Sequence, residues 1–314
     1  MRVLLTGAAG FIGSHVARQL IAHGDQVTAV LSPGRPTDRI KDVLSAVATV
    51  EADLNSADLP LLVSEAAPDT CIHLAWHVDP ITYLTSVPEN LASLVAGIKL
   101  LSALEEVRCP RTVIAGTCLE PGTLVDGGTG PARTVYAAAK TALHQVAMHL
   151  KGTVAACAHV FYVYGPGEDP RRVVPQIIRA CLQGRSIDVS SGVQRRAFLH
   201  VEDVASAIIA VAKSNVQGSV DVCSSKTVPF LDVFRAIGAA TDRADLIRVG
   251  HRPSPAGEPL DIAGNLSALV LTGWEPHWSL AAGISQTVGW WRARLADEGH
   301  GASTGPIEQA PGWV

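Results

Sequence analysis

The residues RVLLTGAAGFIGSHVARQLIA occupy positions 2–22 and carry the pattern that decides the fold. A short run of leucine and β-branched residues comes first, three glycines follow, and apolar residues then recur at helical spacing. A strand, a glycine turn and a helix in this order present free backbone amides and a helix N-terminus to an anion. The stretch therefore predicts an α/β fold that begins a doubly wound parallel sheet.

The three glycines predict a site for the pyrophosphate of a dinucleotide. Gly7 permits the tight turn, Gly10 lets the backbone approach the pyrophosphate, and Gly13 lets the helix pack close to the strand. A tight turn without a ligand is the alternative. The predicted cofactor contacts in this stretch are Gly7, Gly10, Phe11, Ile12 and Gly13.

The end of the next predicted strand, at 26–31, bears on the choice of dinucleotide. Proteins that use NAD commonly place a carboxylate there to bind the ribose hydroxyls. Here Ser32 follows the strand, with Arg35 and Arg39 nearby. Because no carboxylate is present and arginines are nearby, the segment favours binding of the 2′-phosphate of NADP. We therefore predict that Ser32 and Arg35 contact the cofactor. NAD is the alternative cofactor, in which case the arginines are solvated loop charges.

Two further predicted strands end beside the expected cofactor site. The strand at 47–52 is followed by Asp53 and Leu54, where a carboxylate can accept a hydrogen bond from the adenine amino group. The strand at 69–75 ends with Leu74 and Ala75, which we expect to pass over the cofactor. His77 comes next and is either a substrate contact or an incidental loop histidine.

Three polar residues predict the chemistry. Thr117 follows a strand predicted at 112–115, at the sheet edge where open parallel sheets bind ligands. Tyr136 and Lys140 are four residues apart in a predicted helix, so they share one helix face. A fixed ammonium is expected to lower the pKa of the phenol and let it exchange protons. The alternatives are a threonine that caps a turn and an ordinary amphipathic helix.

The βα alternation weakens after a strand predicted at 153–164. We predict a dinucleotide-binding domain at 1–165, to which 196–225 returns, a smaller substrate lobe at 166–195 and 226–296, and a peripheral tail at 297–314. Arg196 and Arg252 stand out in the second half, because guanidinium groups suit a diphosphate. The alternative is that both arginines are surface charges that do not bind a diphosphate.

The composition limits the partners. With a net charge of -4 and 17% charged residues, the chain has no basic footprint for nucleic acid. The six cysteines are scattered without close pairing, which is typical of reduced thiols in a cytoplasmic protein. We assign no metal ligands. No uninterrupted apolar run reaches about 18 residues, so we expect no membrane span.

Taken together, these motifs resemble the extended short-chain dehydrogenase/reductase family, in its nucleotide-sugar epimerase, dehydratase and ketoreductase branch. The likeness covers residues 2 to about 295. The segments that carry it are 6–13, Asp53-Leu54, 73–75, Thr117, Tyr136 with Lys140, 164–167, 196–203, 273–276 and Gly283-Ile284. The resemblance implies a Rossmann domain with a small C-terminal substrate lobe, a catalytic triad of Thr117, Tyr136 and Lys140, a nucleotide diphosphate held by Arg196 and Arg252, and a homodimer.

Departures from the family's pattern affect the predicted reaction. In its 4,6-dehydratases acids follow the threonine, whereas Cys118 and Leu119 stand here, and Glu120 is one place too far along. Cys118 either contacts substrate or fills space. Tyr162 replaces an asparagine that would contact the sugar, so its own contact is open. Pro121 and Leu94 replace a usual tyrosine and a helix asparagine.

The leading hypothesis is an NADPH-dependent reduction of a keto group, at C4, on a nucleotide-activated deoxyhexose. The first alternative is an NAD-dependent 4-epimerase that uses the same groups. Reduction of a non-sugar carbonyl is a third hypothesis, and a dinucleotide sensor without chemistry is a fourth. Sensors tend to lose the tyrosine and the lysine, and both are present here.

Overall fold

A computed structural model of the chain describes residues 1–120, 134–254 and 259–298. The strands are β1 Arg2–Thr6, β2 Gln26–Leu31, β3 Ala48–Glu51, β4 Thr70–His73, β5 Arg111–Thr117, β6 Val154–Val160, β7 Tyr162–Tyr164, β8 Ile187–Val189, β9 Arg195–Arg196, β10 Phe198–His200, β11 Gly218–Val222, β12 Val228–Pro229, β13 Ile247–Val249 and β14 Asp261–Ile262. The helices are α1 Phe11–Ala22, α2 Leu59–Ala66, α3 Val87–Glu106, α4 Val135–Met148, α5 Val173–Leu182, α6 Val201–Lys213, α7 Phe230–Thr241, α8 Ser267–Val270 and α9 Leu280–Glu298.

The chain divides into two compact units. Unit 1 comprises Met1–Phe161, Glu202–Val222 and Gly264–Glu275. Unit 2 comprises Tyr162–Val201, Cys223–Ala263 and the chain from Pro276 onward.

Unit 1 contains a seven-stranded parallel sheet in the order β3-β2-β1-β4-β5-β6-β11. This order reverses direction between β1 and β4, and ligands of doubly wound sheets bind outside the strand ends at such a reversal. Helices cover the sheet, so β1, β4 and β5 are buried along nearly their whole length. The predicted Rossmann fold is confirmed, including the return of the chain to this sheet as β11.

Helix α3 packs in unit 1 through two apolar sides. Leu100 and Leu104 join one buried cluster, and Leu101 joins another together with Leu143 of α4. By length and composition alone α3 could cross a membrane, but such helices are also found in the cores of soluble proteins. Its buried residues identify it as a packing helix of the sheet.

Unit 2 has its own core, built from α5, α7 and α9. Phe234 of α7, Ile177 of α5 and Trp291 of α9 lie in one buried cluster. The short strands of this unit form three small sheets, namely β7 with β10, β9 with β12 and β14, and β8 with β13.

Three predicted boundaries differ from the structure. The strand predicted at 153–164 is two strands, because Phe161 is the last residue paired with the main sheet and β7 pairs with β10 instead. Residues 196–201 therefore belong to unit 2. Residues 264–275 belong to unit 1, since Asn265 donates its backbone N–H to Asp221 and Trp274 donates its indole N–H to Ser206. The predicted tail lies outside the described residues from 299 onward.

Candidate active site

The glycine turn between β1 and α1 is a cradle formed by the backbone. Gly7 has φ +74°, and a Cβ there would lie 2.7 Å from the Ala75 nitrogen. A Cβ on Gly13 would lie 2.0 Å from the Gly7 carbonyl oxygen. Only glycine lets the backbone at these two positions come so close to neighbouring backbone atoms. The turn therefore lies directly against the segment after β4 and the first residues of α1.

The first turn of α1 suits an anion. Phe11 and Ile12 open the helix, and Gly10, which precedes it, has no side chain that could cap their amides. Free amides at a helix N-terminus carry partial positive charge and bind phosphate groups. The residues present therefore fit the pyrophosphate of a dinucleotide.

Thr6 and His73 hold the neighbouring segment in place, a pair that the sequence analysis missed. The Thr6 hydroxyl is 2.7 Å from His73 Nδ1, and it accepts a hydrogen bond from the Ala75 backbone N–H at 3.3 Å. Burial, followed by the charge of Lys140, lowers the pKa of His73 to about 3, so this ring is neutral. Leu74 and Ala75 are thereby fixed beside the glycine turn.

The predicted ribose and adenine contacts lie at strand ends of unit 1. Ser32 and Arg35 are exposed directly after β2, and the Arg35 backbone N–H donates to the Ser32 carbonyl oxygen. Asp53 accepts a hydrogen bond from the Asn55 backbone N–H, and Leu54 packs against the core. The exposed cation at Arg35 is therefore available to a phosphate.

The structure brings Thr117, Tyr136 and Lys140 together within unit 1. Thr117 ends β5, and its side chain lies near enough to the Tyr136 hydroxyl to influence the pKa of that phenol. Thr134 caps α4 by accepting the Ala137 N–H at 3.1 Å, which fixes where the helix begins. Lys140 lies one turn after Tyr136 and donates to the Ala115 carbonyl oxygen at 2.8 Å.

The electrostatics of this trio differ from the expectation. Burial, with a smaller contribution from Tyr83, raises the pKa of Tyr136 well above its ordinary value, although Thr117 acts in the opposite direction. Burial also lowers the pKa of Lys140 to about 8. The predicted lowering of the phenol pKa by the ammonium is therefore wrong for this structure, because loss of hydration dominates. The phenol is neutral.

Aromatic residues surround the trio, and the sequence analysis assigned them no role. The Lys140 Nζ lies 4.0 Å from the centroid of the Trp76 ring, a distance typical of a cation–π contact. Trp76 and Tyr83 both meet the Tyr136 ring edge to face. Asn90 of α3 accepts the Trp76 indole N–H at 2.9 Å, one helical turn before the position where an asparagine was expected.

This geometry agrees with a known family of proteins. The model of the NAD dependent epimerase/dehydratase family matches residues 3–223. The chain belongs to this family. It is an NAD(P)-dependent enzyme of the extended short-chain dehydrogenase/reductase type, as the resemblance predicted.

Two relatives and one solved structure are similar to this chain over more than nine-tenths of its length. A UDP-glucose 4-epimerase from Mycolicibacterium smegmatis is 29% identical, over 93% of this chain and 99% of that protein. A dTDP-4-dehydro-6-deoxy-D-allose reductase from Streptomyces bikiniensis is 27% identical, over 92% of this chain and 96% of that protein. The Thermus thermophilus UDP-glucose 4-epimerase, solved in complex with NAD, is 25% identical with a TM-score of 0.79, over 93% of this chain and 99% of that one.

Of the other predicted substrate contacts, two lie in unit 1 and two lie in unit 2. In unit 1, His77 Nε2 lies 2.9 Å from the Thr82 hydroxyl, and Cys118 is buried beside the end of β6. In unit 2, Tyr162 is half-buried on β7, and Arg252 is half-buried after β13. Arg252 donates its backbone N–H to the Val189 carbonyl oxygen, so its position is fixed by the main chain.

Arg196 is placed differently from the expectation. Its side chain is completely buried in unit 2, and its Nη1 donates to the backbone carbonyl oxygens of Arg195 at 2.8 Å and Pro259 at 3.0 Å. The guanidinium carbon also lies 5.3 Å from the centroid of the Tyr162 ring. These contacts connect β9 to the chain before β14. Arg196 therefore stabilises the fold of unit 2, a role that its sequence position did not indicate.

Glu120 does not occupy the position of a dehydratase acid. Its Oε1 accepts the Thr117 backbone N–H at 2.9 Å, and its Oε2 faces His144 and His159 at 3.2 and 3.4 Å. Burial alone would raise the pKa of this carboxyl, but the two histidines outweigh burial and lower it. The histidines were missed, although His144 lies four residues after Lys140 on α4 and thus shares its helix face.

Proposed function

We propose that this enzyme reduces a keto group at C4 of a nucleotide-activated deoxyhexose, with NADPH as the cofactor. The observation that carries the proposal is the buried Tyr136 phenol, which lies one helical turn before the buried Lys140 and beside Thr117 at the end of β5. Reduction of a carbonyl requires a proton donor at the oxygen that is present before hydride arrives. Burial raises the pKa of this phenol above its ordinary value, so it is protonated at every physiological pH.

The glycine cradle and the start of α1 would hold the dinucleotide pyrophosphate, with Leu74 and Ala75 beside it. Bound NADPH would supply hydride. The chain's own contribution is to orient that cofactor and to exclude water around the trio.

Each member of the trio has a distinct task. Tyr136 donates its proton to the carbonyl oxygen, and Thr117, which contacts the same hydroxyl, donates a hydrogen bond to that oxygen. Lys140 carries a positive charge below pH 8 and lies 5.9 Å from the centre of the Tyr136 ring. That charge stabilises the phenolate that proton transfer leaves behind.

The preference for NADPH is supported by the end of β2. Ser32 and Arg35 are exposed there, and the sequence has no carboxylate at the strand end to bind the ribose hydroxyls of NAD. An arginine suits the 2′-phosphate because its charge is permanent and its donors are arranged as a fork.

For the substrate, we propose that Arg252 binds the diphosphate and that His77, Cys118 and Tyr162 face the sugar. The named relatives act on UDP- and dTDP-linked sugars, which supports this substrate class. Arg196 supports the site indirectly, since its guanidinium is already engaged by backbone carbonyls. A 4,6-dehydratase is disfavoured because Glu120 is an ionised group held by histidines.

A 4-epimerase is the second candidate. The M. smegmatis relative with that activity matches nearly the whole chain, and the same trio can take hydride from C4 and return it to the opposite face. An epimerase regenerates its own NAD and consumes no reductant, whereas a reductase consumes one NADPH for each product.

The deciding experiment supplies the purified full-length protein with UDP- and dTDP-linked 4-keto-6-deoxyhexoses and either NADPH or NADH. We expect one of these sugars to oxidise NADPH faster than NADH, as followed by nicotinamide absorbance. Conversion of UDP-glucose to UDP-galactose without added reductant, together with tightly held NAD in the purified protein, would instead establish the epimerase.

A further inference from the structure

Four side chains of the types that bind transition metals meet inside unit 1. Glu120 follows β5, His144 belongs to α4, and Cys157 and His159 lie two residues apart on β6, so that both face the same side of that strand. We call this group the Glu120 cluster. All four residues are buried, and one ligand atom from each lies within 4.8 Å of the others.

Three of the four ligand atoms already have the spacing of a metal site. Glu120 Oε2 is 3.2 Å from His144 Nδ1 and 3.4 Å from His159 Nε2, and the two nitrogens are 3.4 Å apart. A tetrahedral zinc ion with bonds of about 2.0–2.1 Å separates its nitrogen and oxygen ligands by about 3.3–3.4 Å. One point therefore lies at zinc-bond distance from all three atoms.

Cys157 supplies the fourth corner. Its sulfur lies on the same side of β6 as His159 and within 4.8 Å of the ligand atoms of the other three residues. Gly116 makes room for this arrangement, because a Cβ there would lie 2.6 Å from the Cys157 sulfur and 2.7 Å from Glu120 Oε1.

Hydrogen bonding alone explains these distances less well. Charge-assisted bonds between an imidazolium and a carboxylate are typically about 2.7–2.9 Å long, shorter than either contact here. The two histidine nitrogens also face each other at 3.4 Å, so only one of them can carry a proton toward the other. A metal ion takes the place of that proton, since both lone pairs then point at one cation.

The outer atoms of the cluster are held as metal ligands usually are. His159 Nδ1 lies 3.2 Å from Asp221 Oδ1, and the other Asp221 oxygen accepts the Asn265 backbone N–H at 2.7 Å. Glu120 Oε1 accepts the Thr117 N–H. A carboxylate behind a ligating histidine and a fixed ligating carboxylate are the contacts that orient zinc ligands in other proteins.

We propose that Glu120, His144, Cys157 and His159 bind one structural Zn²⁺, which connects the end of β5 to α4 and β6. Binding displaces to solvent the thiol proton and any proton on His144 Nδ1 or His159 Nε2, and the charges of one thiolate and one carboxylate then balance the ion. A mixed sulfur, nitrogen and oxygen donor set favours zinc, and four protein ligands leave no open position for substrate. Through Glu120 the ion fixes the backbone of Thr117. This inference does not depend on the proposed reaction.

The first test measures zinc in the full-length protein after expression with added zinc and dialysis against metal-free buffer. We expect one zinc per chain, and at least a tenfold smaller content in Cys157→Ala. Cys71→Ala is the matched control, because Cys71 is a buried thiol on β4 of the same sheet outside the cluster. It should retain the zinc. Less than half an equivalent in the wild type, or equal zinc in both variants, overturns the proposal.

A second test uses cobalt and does not require a variant to fold. Protein expressed with Co²⁺ should show the intense visible bands of a tetrahedral site and the near-ultraviolet charge-transfer band of a cobalt–thiolate bond. A pale six-coordinate spectrum, or no bound cobalt, would mean that the Glu120 cluster is a hydrogen-bonded network only, and the proposal would be wrong. If Cys157→Ala folds by circular dichroism, its cobalt spectrum should lack the charge-transfer band.

Discussion

Tyr136 is buried beside the rings of Trp76 and Tyr83. This burial raises the pKa of the phenol, so the phenolate is less accessible than in water. Lys140 is close in sequence, but its Nζ donates to the Ala115 carbonyl oxygen and lies over the Trp76 ring. The phenol is therefore protonated and suited to act as a proton donor.

Replacing Tyr136 by phenylalanine removes only the proton donor. We expect kcat of the reduction to fall by at least about 100-fold, the usual contribution of a positioned general acid, while the melting temperature changes little. Turnover of the proposed keto sugar measures the effect. Tyr164→Phe is the control, because Tyr164 is a buried tyrosine of unit 2. If Tyr136→Phe turned over as fast as the wild type, Tyr136 would have no catalytic role.

Lys140 should set the alkaline limit of the reaction. Its pKa of about 8 means that the ammonium is present below pH 8 and is lost as the pH rises. We therefore expect kcat/KM to fall above pH 8, with no second alkaline limb from Tyr136, whose pKa is far higher. The measurement is the pH profile of kcat/KM, with circular dichroism to confirm folding at each pH. A constant rate from pH 6 to 10 would contradict the role of the ammonium.

At the scale of elements, the glycine turn and α3 are held in place by different kinds of contact. The turn between β1 and α1 is constrained by backbone contacts, whereas α3 uses its two apolar sides for packing and leaves a third side exposed. The exposed residues on that side are Val87, Leu91, Val95 and Ile98, spaced along one helix face. Such a stripe is typical of a protein interface.

Gly13 should tolerate no side chain. In Gly13→Ala the new Cβ would lie 2.0 Å from the Gly7 carbonyl oxygen, so the cradle must move. We expect a loss of stability of a few kcal/mol, within about the range for overpacked sites, and at least tenfold weaker dinucleotide binding. Thermal unfolding and a fluorescence titration with NADPH measure both. Gly289→Ala is the control, since this exposed glycine of α9 has nothing within 4 Å of an added Cβ. Equal behaviour of the two variants would contradict the cradle.

The predicted homodimer should form through the exposed side of α3. In Leu91→Asp a charge would be buried at that interface, so we expect the dimer to dissociate while each chain stays folded. Size-exclusion chromatography with light scattering measures the mass. Leu61→Asp is the control, because Leu61 is also exposed but lies on α2. A monomeric wild type, or a Leu91→Asp dimer of unchanged stability, would show that α3 is not the interface.

At the scale of the whole molecule, both units are assembled from segments distant in sequence. Unit 1 takes three segments and unit 2 three others, so neither can be complete until most of the chain has been made. Each unit also buries ionisable groups, which couples folding to pH. Glu168 of unit 2 is the simplest of these, since burial raises the pKa of its carboxyl to about 8.

Glu168 should make the protein less stable as the pH rises. Its pKa is above the unfolded value, so its contribution is fully present below about pH 4.5 and is lost as the pH approaches 8, by up to about 5 kcal/mol. Glu168→Gln keeps the shape of the protonated acid and removes this loss. We expect the variant to gain melting temperature over wild type from pH 5 to 8. A difference that does not change with pH would contradict the buried acid.

The sequence by itself determined the parallel sheet, the glycine turn, the family, and the candidate trio of Thr117, Tyr136 and Lys140. Spacing along one strand or one helix reports which residues share a face, and these features depend on such spacing. The boundaries of the two units were less accurate, because strand pairing across long separations decided them. The cytoplasmic location and the choice of NADP stay predictions.

Only the tertiary structure decided the electrostatics. The neutral phenol, the complete burial of Arg196 and the meeting of Glu120 with His144, Cys157 and His159 all depend on which distant segments pack together. Hydration is lost when such segments meet, and the energy of a charge is set mainly by the hydration it loses and the partners it gains. A single sequence reports neither quantity, which is why it did not predict that the side chains at positions 120, 144, 157 and 159 meet.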